Sequence, residues 1–251
     1  MTRYFASPDQ FDGATLHLPK DDALHIIKAR RLTVGESIGV VVNDQLETLT
    51  VTGISGHSLT FTRERVEPIP PPTFTIDLAI SLTKQDAFAE TLSACTQLPI
   101  RRFIPMTTRH TVPIIKSKDI TSKLARWKKL IWMASCQCHR LQLADTLPLQ
   151  SFESALETID FDAYDLCVVC DETESTTALK TVLRDQPDAR SFLICIGPEG
   201  GLHREESDAL IDRGAVSVSL GDQILKAPQA AFFATTAVSY EFGTLPPAPY
   251  S

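Results

Sequence analysis

The segment Ile194-Cys-Ile-Gly-Pro-Glu-Gly-Gly-Leu-His-Arg-Glu-Glu206 is the most informative stretch of this chain. An apolar run, predicted to be a strand, ends in Gly197-Pro-Glu-Gly-Gly201, and acidic residues then open a predicted helix. Glycines allow positive φ and let a ligand approach the backbone closely, and α/β sheets bind cofactors where parallel strands end. The spacing is neither that of a dinucleotide fingerprint nor that of a Walker loop. The alternative is an ordinary glycine-rich turn between a strand and a helix.

A second glycine loop follows in Val216-Ser-Val-Ser-Leu-Gly-Asp-Gln-Ile-Leu-Lys226, and a helix is predicted from about Pro228. It repeats the pattern of an apolar strand that ends in a glycine turn. Two such loops from neighbouring strands can enclose an apolar ligand that carries an adenine, because backbone N–H and C=O groups reach the edge of the base. The pair therefore favours a cofactor site more strongly than either loop alone.

Strands and helices alternate over residues 74–251, which predicts an α/β domain with a mainly parallel sheet covered on both faces. The predicted strands are 74–81, 102–105, 166–170, 192–196 and 215–219. The predicted helices are 85–97, 121–138, 174–184, 205–213 and 230–242. The last helix is apolar around most of its circumference, which indicates burial on more than one side, in a homodimer or in a monomeric core.

Four prolines within Val66-Glu-Pro-Ile-Pro-Pro-Pro-Thr73 predict a stiff connector and a domain boundary. Residues 1–70 are predicted to form a small β-barrel before it. Apolar or alternating segments at 37–42, 46–54 and 58–62 are separated by turn residues, and one helix, at about 21–30, interrupts them.

Bulk properties exclude several classes of protein. The longest apolar runs are too short to span a bilayer, and the N-terminus lacks the apolar stretch of a signal peptide. We therefore expect a cytoplasmic protein with no membrane association. Its 6 cysteines are then more consistent with small buried side chains than with disulfides. No metal is expected, although a zinc site formed from Cys136, Cys138, Cys167 and Cys170 with His139 nearby is an alternative.

Charge is distributed unevenly along the chain. The formal net charge is -7, yet residues 101–140 contain ten lysines and arginines and one acidic residue, Asp119. A basic block inside an acidic protein favours a phosphate backbone as partner. The alternative is a solvated helix face over residues 123–129 with no partner.

Gly197-Pro-Glu-Gly-Gly201 and Ser219-Leu-Gly-Asp-Gln-Ile-Leu225 resemble the cofactor motifs of the ribosomal RNA small subunit methyltransferase E family, within the SPOUT superfamily. Further likenesses are Arg3-Tyr-Phe5, His25-Ile-Ile-Lys-Ala-Arg-Arg31 with Gly35, Lys84-Gln-Asp86, Ile104-Pro105, and the helix residues Arg126, Trp127, Ala134, Gln137 and Arg140. The resemblance implies a SPOUT α/β domain with a deep trefoil knot, and an N-terminal PUA-like RNA-binding barrel. It also implies a homodimer that uses S-adenosylmethionine to methylate N3 of a uridine in 16S rRNA of the small ribosomal subunit.

Candidate site residues follow from these motifs and from the basic block. Cofactor binding is expected at Ile196, Gly197, Pro198, Glu199, Gly200, Gly201, Leu220, Gly221, Ile224, Leu225 and Gln229. RNA binding is expected at Arg3, His25, Lys28, Arg31, Lys128 and Lys129. Lys226, Arg140 and Arg109 are the candidates for catalysis, because positive charge would stabilise the anion that forms as uridine N3 loses its proton. The alternative to a catalytic role is that each of these residues contacts phosphate or is only a surface cation.

Three segments depart from the family pattern: Gln97-Leu98-Pro99, Leu141–Ala144 and Lys226-Ala-Pro-Gln229. In the last of these, a lysine stands where the family has an arginine, which keeps the charge but not the planar fork. Two further functions therefore stay open. One is methylation of another RNA nucleotide, and the other is RNA binding or ribosome assembly without turnover.

Overall fold

The computed structural model describes residues 3–23, 26–27 and 31–243. The chain forms two compact units: Met1–Pro71 with Ser135–Leu143, and Pro72–Ala134 with Ala144–Ser251. The division after Pro71 falls inside the proline-rich segment. The grouping of Ser135–Leu143 with the first unit had no counterpart in the sequence pattern.

The first unit contains a six-stranded sheet with the order β1-β4-β5-β6-β3-β2. Its strands are β1 (Arg3–Phe5), β2 (Phe11–Asp12), β3 (Thr15–His17), β4 (Ser37–Val42), β5 (Gln45–Ser55) and β6 (Ser58–Pro68). β1 pairs with β4 in parallel, and the other pairings are antiparallel. Asn43 and Asp44, between β4 and β5, both have positive φ, as a tight hairpin turn of this twist requires.

One prediction for this unit needs correction. Residues 66–68 are not part of a connector, since β6 continues to Pro68, which pairs with Gln45 as the last residue of the strand. Proline lacks a backbone N–H but is tolerated at such a strand end. The helix predicted at about 21–30 is represented by α1 (Lys20–Ala23), and residues 24–25 and 28–30 lie outside the described residues.

The second unit is built on a parallel sheet with the order β10-β8-β7-β12-β11-β13, and β9 pairs with β8. Its strands are β7 (Thr75–Ser81), β8 (Ile100–Thr107), β9 (Asp145–Thr146), β10 (Gln150–Ser151), β11 (Leu166–Cys170), β12 (Ser191–Ile196) and β13 (Val216–Val218). Its helices are α2 (Gln85–Cys95), α3 (Ile120–Gln137), α4 (Phe152–Thr158), α5 (Leu179–Arg184), α6 (Arg204–Ile211) and α7 (Ala227–Phe242). No helix in the described part of the chain has the length and apolar character to cross a membrane.

Helices cover both faces of this sheet. Ile76, Leu78 and Ile80 of β7 belong to one buried cluster, which also contains residues of α2, α5 and α7. Ala79, the intervening residue, belongs to a second cluster with residues of α4 and α6. Because successive side chains of a strand point to opposite faces, the two clusters lie on opposite sides of the sheet. This burial explains the nearly continuous apolar sequence of the central strands.

The helix predicted at 174–184 begins five residues later than expected, at Leu179. Asp171 Oδ1 accepts hydrogen bonds from the backbone N and the hydroxyl of Thr173. Glu174 Oε1 accepts them from Thr176 and from the backbone N of Thr177, which lowers the pKa of Glu174 to about 2. Carboxylates that bind nearby backbone N–H groups offer the chain an alternative to a helix.

The short α4 was not predicted. It begins after Ser151, whose hydroxyl accepts a hydrogen bond from the backbone N of Ser154. Phe152 and Ala155 are its buried residues. A helix of two turns is too short for its periodicity to stand out in the sequence.

Candidate functional site

A cavity of about 270 Å³ lies where three neighbouring strands, β12, β11 and β13, reach their carboxyl ends. After β11 it is lined by Cys170–Thr173, after β12 by Ile196–Glu199 with Gly201 and Leu202, and after β13 by Ser219–Ala227 with Ala230 of α7. This is the edge of a parallel sheet at which α/β proteins bind ligands.

The Gly-Pro-Glu-Gly-Gly loop is held by bonds to segments far away in sequence. Glu199 Oε1 accepts a hydrogen bond from the backbone N of Lys84 at 3.1 Å. His110 Nδ1 lies 3.0 Å from the carbonyl oxygen of Gly200 and 3.1 Å from that of Gly201. Gly201 has a φ of 70°, so a side chain there would be strained. The loop therefore needs glycine at Gly201 and depends on residues that follow β7 and β8.

The second glycine loop forms the facing wall. Gly221 has a φ of 127°, and its backbone N donates to the hydroxyl of Ser219. Ser219 is in turn anchored by backbone bonds to Thr177 and Leu179. Ile224 on this loop is 79% exposed, although it lines the cavity. The loop thus presents an apolar side chain that a ligand could cover.

The cavity is electrostatically negative. Of the described residues that line it, four are acidic (Asp171, Glu172, Glu199 and Asp222) and one, Lys226, is basic. Cys170 adds no charge, because burial raises the pKa of its thiol to about 12. Such a lining favours a ligand that carries positive charge and disfavours a polyphosphate.

Arg109, a predicted catalytic residue, is anchored to the start of α6. Its Nη2 donates to Glu205 Oε2 at 2.7 Å, and its Nη1 lies 2.9 Å from His203 Nδ1. Its backbone N donates to the buried carboxylate of Glu206 at 2.8 Å. The hydrogen bond from Arg109 lowers the pKa of Glu205. These contacts fix the loop after β8 against α6.

Most of the other residues predicted for the cofactor and for catalysis meet at this cavity, but Arg140 does not line it. Lys226 lines the cavity together with nine of the predicted cofactor-binding residues, whereas Gly200 and Gln229 are not among its lining residues. Arg140 is grouped with the first unit, where its Nε donates to the carbonyl oxygen of Gln142, and burial lowers its pKa. Arg140 therefore does not belong to the unit that contains the cavity.

The predicted RNA-binding residues fall in both units. Arg3 donates to the carbonyl oxygen of His139 at 2.5 Å, and Arg31 is exposed. On α3, Lys128 Nζ lies 3.7 Å from Asp145 Oδ1, and Lys129 Nζ lies 4.6 Å from the centre of the Trp132 ring. His25 and Lys28 lie outside the described residues.

Sequence reasoning missed one wall of the cavity, formed by Asp171, Glu172 and Thr173 after β11. The signal that could have revealed it is the position of polar residues directly after the apolar run Leu166–Cys170. β11 lies between β12 and β13, so the residues after it must lie between the two glycine loops. The strand order was needed to make that inference.

Comparison with known proteins agrees with this geometry. Residues 70–239 match the family described as RNA methyltransferase domain. The chain belongs to this family. Ribosomal RNA small subunit methyltransferase E of Bacillus subtilis is 28% identical to it over 255 residues, covering 96% of this chain and 97% of the relative. The predicted resemblance to that group of RNA methyltransferases is confirmed.

Solved structures show the same fold. A putative methyltransferase from Legionella pneumophila, in complex with S-adenosylmethionine, has a TM-score of 0.82 at 20% identity, covering 95% of this chain and 97% of its own. A ribosomal RNA small subunit methyltransferase E from Neisseria gonorrhoeae, bound to S-adenosylmethionine, has a TM-score of 0.82 at 20% identity, covering 96% of this chain and 97% of its own. The predicted α/β fold with a parallel sheet is confirmed.

Proposed function

We propose that this RNA methyltransferase uses S-adenosylmethionine to methylate N3 of a uridine in 16S rRNA of the small ribosomal subunit. The observation that carries the proposal is the negative cavity between the two glycine loops. S-adenosylmethionine has a sulfonium centre and an amino group, so the four carboxylates around the cavity match its charge. Ile224 and Leu225 supply apolar surface for the adenine.

S-adenosylmethionine, when bound, supplies a methyl group whose bond to sulfur breaks as the bond to N3 forms, leaving that electron pair on sulfur. The residues of the chain have to orient the uridine and ease the loss of its N3 proton, which would pass to water. Lys226 is exposed and lines the cavity at the start of α7. Its ammonium group would stabilise the uridine anion, whereas we propose that Arg109 and Arg140 position loops or contact phosphate.

We also propose the finer features of the fold. The segment from β12 to α7 would form the deep trefoil knot of the SPOUT superfamily. This is supported by the strand order, because β12 follows β11 in the chain but lies between β7 and β11 in the sheet. The six-stranded sheet of residues 3–68 would be a PUA-like RNA-binding barrel, with Arg3 and Arg31 among the residues that bind RNA.

We propose that the protein is a homodimer. We propose also that it acts in the cytoplasm, where its ribosomal substrate is found. α7 supports the dimer, since it exposes Phe232, Phe233 and Tyr240 outside the stripe of its buried residues. These side chains are 41%, 48% and 74% exposed. A second subunit would remove this apolar surface from water.

Two measurements test the proposal. Calorimetry should detect binding of S-adenosylhomocysteine to the purified protein. Mass spectrometry of nucleosides from small-subunit rRNA should show 3-methyluridine in cells that contain the gene and its loss in cells without it. Loss of a different methylated nucleoside would overturn the uridine assignment. Cofactor binding with no change in rRNA methylation would indicate RNA binding without turnover.

A further inference from the structure

A second cavity, of about 320 Å³, lies beyond the carboxyl ends of β7 and β8. It is lined by Leu82, Thr83, Phe88, Pro113, Ile114, Ile115, Asp119, Ser122, Lys123 and Trp127. Its volume is within the range of about 300–1,000 Å³ that small ligands occupy, and mainly apolar walls with a few polar groups are typical of such sites. None of the residues that line the first cavity line this one.

Thr83 is the lining residue that points most clearly to a ligand. It is completely buried, and among the described residues its hydroxyl has no hydrogen-bond partner. A buried hydroxyl without a partner costs free energy, and buried polar groups are normally satisfied. A ligand in the cavity that offers a carbonyl oxygen would satisfy it. Lys123, from α3, brings a second hydrogen-bond donor to the same cavity.

The two cavities are neighbours along one sheet edge. β7 pairs directly with β12, and Ile80 is paired with Ile196, which lines the first cavity. Lys84, the residue after Thr83, donates its backbone N–H to Glu199 of the first cavity. The loop that supplies Pro113 also carries His110, which contacts the Gly200 and Gly201 carbonyls. A substrate in the second cavity therefore lies beside the cofactor loop.

The second cavity is lined by one acidic residue, Asp119, and one basic residue, Lys123, and the exposed residues next to it in the chain are basic. Lys116 and Lys118, on the segment between the lining residues Ile115 and Asp119, are exposed. Arg126, beside Trp127 on α3, is also exposed. Cations at these positions fit a phosphate backbone on either side of a bound nucleotide. The first cavity, with four carboxylates, does not.

We propose that the second cavity receives the target base, a pyrimidine flipped out of unpaired RNA, while the first holds the cofactor. Enzymes that modify a base take it out of the stack into a pocket. Here the apolar wall of Phe88 and Trp127 packs against the base, and the Thr83 hydroxyl donates to a ring carbonyl oxygen. This inference rests on the proposed methyl transfer to RNA and adds the residues that select the base.

The first test replaces Thr83 with valine, which keeps the shape and removes the hydroxyl. Thr83→Val should lower kcat/KM for small-subunit rRNA by about three- to tenfold, the loss expected of one neutral hydrogen bond. Its affinity for S-adenosylhomocysteine should be unchanged. Ser81→Ala is the matched control, because Ser81 is also fully buried with an unpartnered hydroxyl but does not line the cavity. It should stay within about twofold of the wild type.

A second test blocks the cavity from its exposed side. Ser122→Tyr should abolish RNA methylation by filling the space, whereas Thr121→Tyr, at an exposed neighbour that does not line the cavity, should not. Equal activity of Thr83→Val and Ser81→Ala, or full activity of Ser122→Tyr, would overturn the assignment of the base while leaving the proposed function intact. If the wild-type protein bound no S-adenosylhomocysteine, the proposed function itself would fail.

Discussion

Gly221 and Gly200 belong to the two loops that motivated the cofactor prediction, but the structure places different demands on them. Gly221 has a φ of 127°, which L side chains rarely adopt, and a Cβ there would meet no neighbour within 4 Å. Gly200 has no such φ, and a Cβ would lie 3.4 Å from the Cβ of His110, an ordinary contact. The conformation of the chain therefore requires glycine at Gly221 and tolerates a side chain at Gly200.

Gly221→Val should weaken binding of S-adenosylhomocysteine by about tenfold, because the strain of about 1–3 kcal/mol displaces the loop that lines the cavity. Gly200→Ala should change the affinity by less than about threefold, since its Cβ fits the existing space. Calorimetry on the two folded variants compares them directly. Equal losses at both positions would contradict the conformational argument.

At the scale of the elements, the buried carboxylate of Asp77 on β7 forms ion pairs with β8, at the edge of the sheet opposite the cavities. Asp77 is fully buried and accepts hydrogen bonds from the guanidinium groups of Arg101 and Arg102 and from the Tyr164 hydroxyl. Burial and the neighbouring Asp77 raise the pKa of Tyr164 to about 12. The phenol therefore remains a neutral donor at physiological pH.

Asp77→Asn should destabilise the protein by about 3 kcal/mol, because it removes the buried negative charge that pairs with Arg101 and Arg102. The cost is not larger because both arginines are partly exposed to water. The midpoint of urea unfolding measures the change. Glu67→Gln is the matched control, because both side chains of the Arg65–Glu67 pair are exposed. It should change the free energy of unfolding by less than about 1 kcal/mol. A similar loss for both variants would show that burial is not the decisive factor.

The helix α3 carries part of the basic block, and Lys128 on it is 57% exposed despite its contact with Asp145. The double substitution Lys128→Glu, Lys129→Glu should weaken RNA binding and flatten its dependence on salt, because fewer counterions are released from the phosphates. Filter binding over a range of salt concentrations gives the slope. Lys180→Glu, at an exposed site on α5, should leave the slope unchanged. An unaltered slope in the double variant would exclude α3 from the RNA interface.

At the scale of the whole molecule, α7 links the cavity proposed for the cofactor to the proposed subunit interface. Its first residues line the cavity, and Phe232 and Phe233 in the following turns are exposed. Sedimentation equilibrium should give twice the monomer mass of 27.7 kDa. Phe233→Asp should shift the protein toward monomer, because it places a charge in an apolar interface.

The control for this prediction is Ile211→Asp on α6, which changes an exposed apolar residue of comparable accessibility. It should leave the dimer intact. A wild-type protein that sediments as a monomer and still methylates RNA would contradict the dimer and leave the assignment to the RNA methyltransferase family in place.

The sequence by itself determined the parallel α/β fold, the two glycine loops and the basic block. These depend on periodicity and on short motifs, in which each residue is interpreted from its near neighbours. It misjudged residues 174–178, where the Glu174 carboxylate accepts hydrogen bonds from the backbone N–H groups of Thr176 and Thr177 and holds the chain in a non-helical conformation. These local bonds depend on geometry that composition does not show.

Only the tertiary structure decided which distant residues meet. It placed Asp171 and Glu172 between the two glycine loops, brought Arg109 to Glu205, and brought Lys84 to Glu199. It also assembled the second cavity around Thr83 from segments that follow two different strands. The physical reason is that strand order, which no local pattern specifies, determines which loops share an edge of the sheet, and the shared edge determines the charge and shape of each cavity.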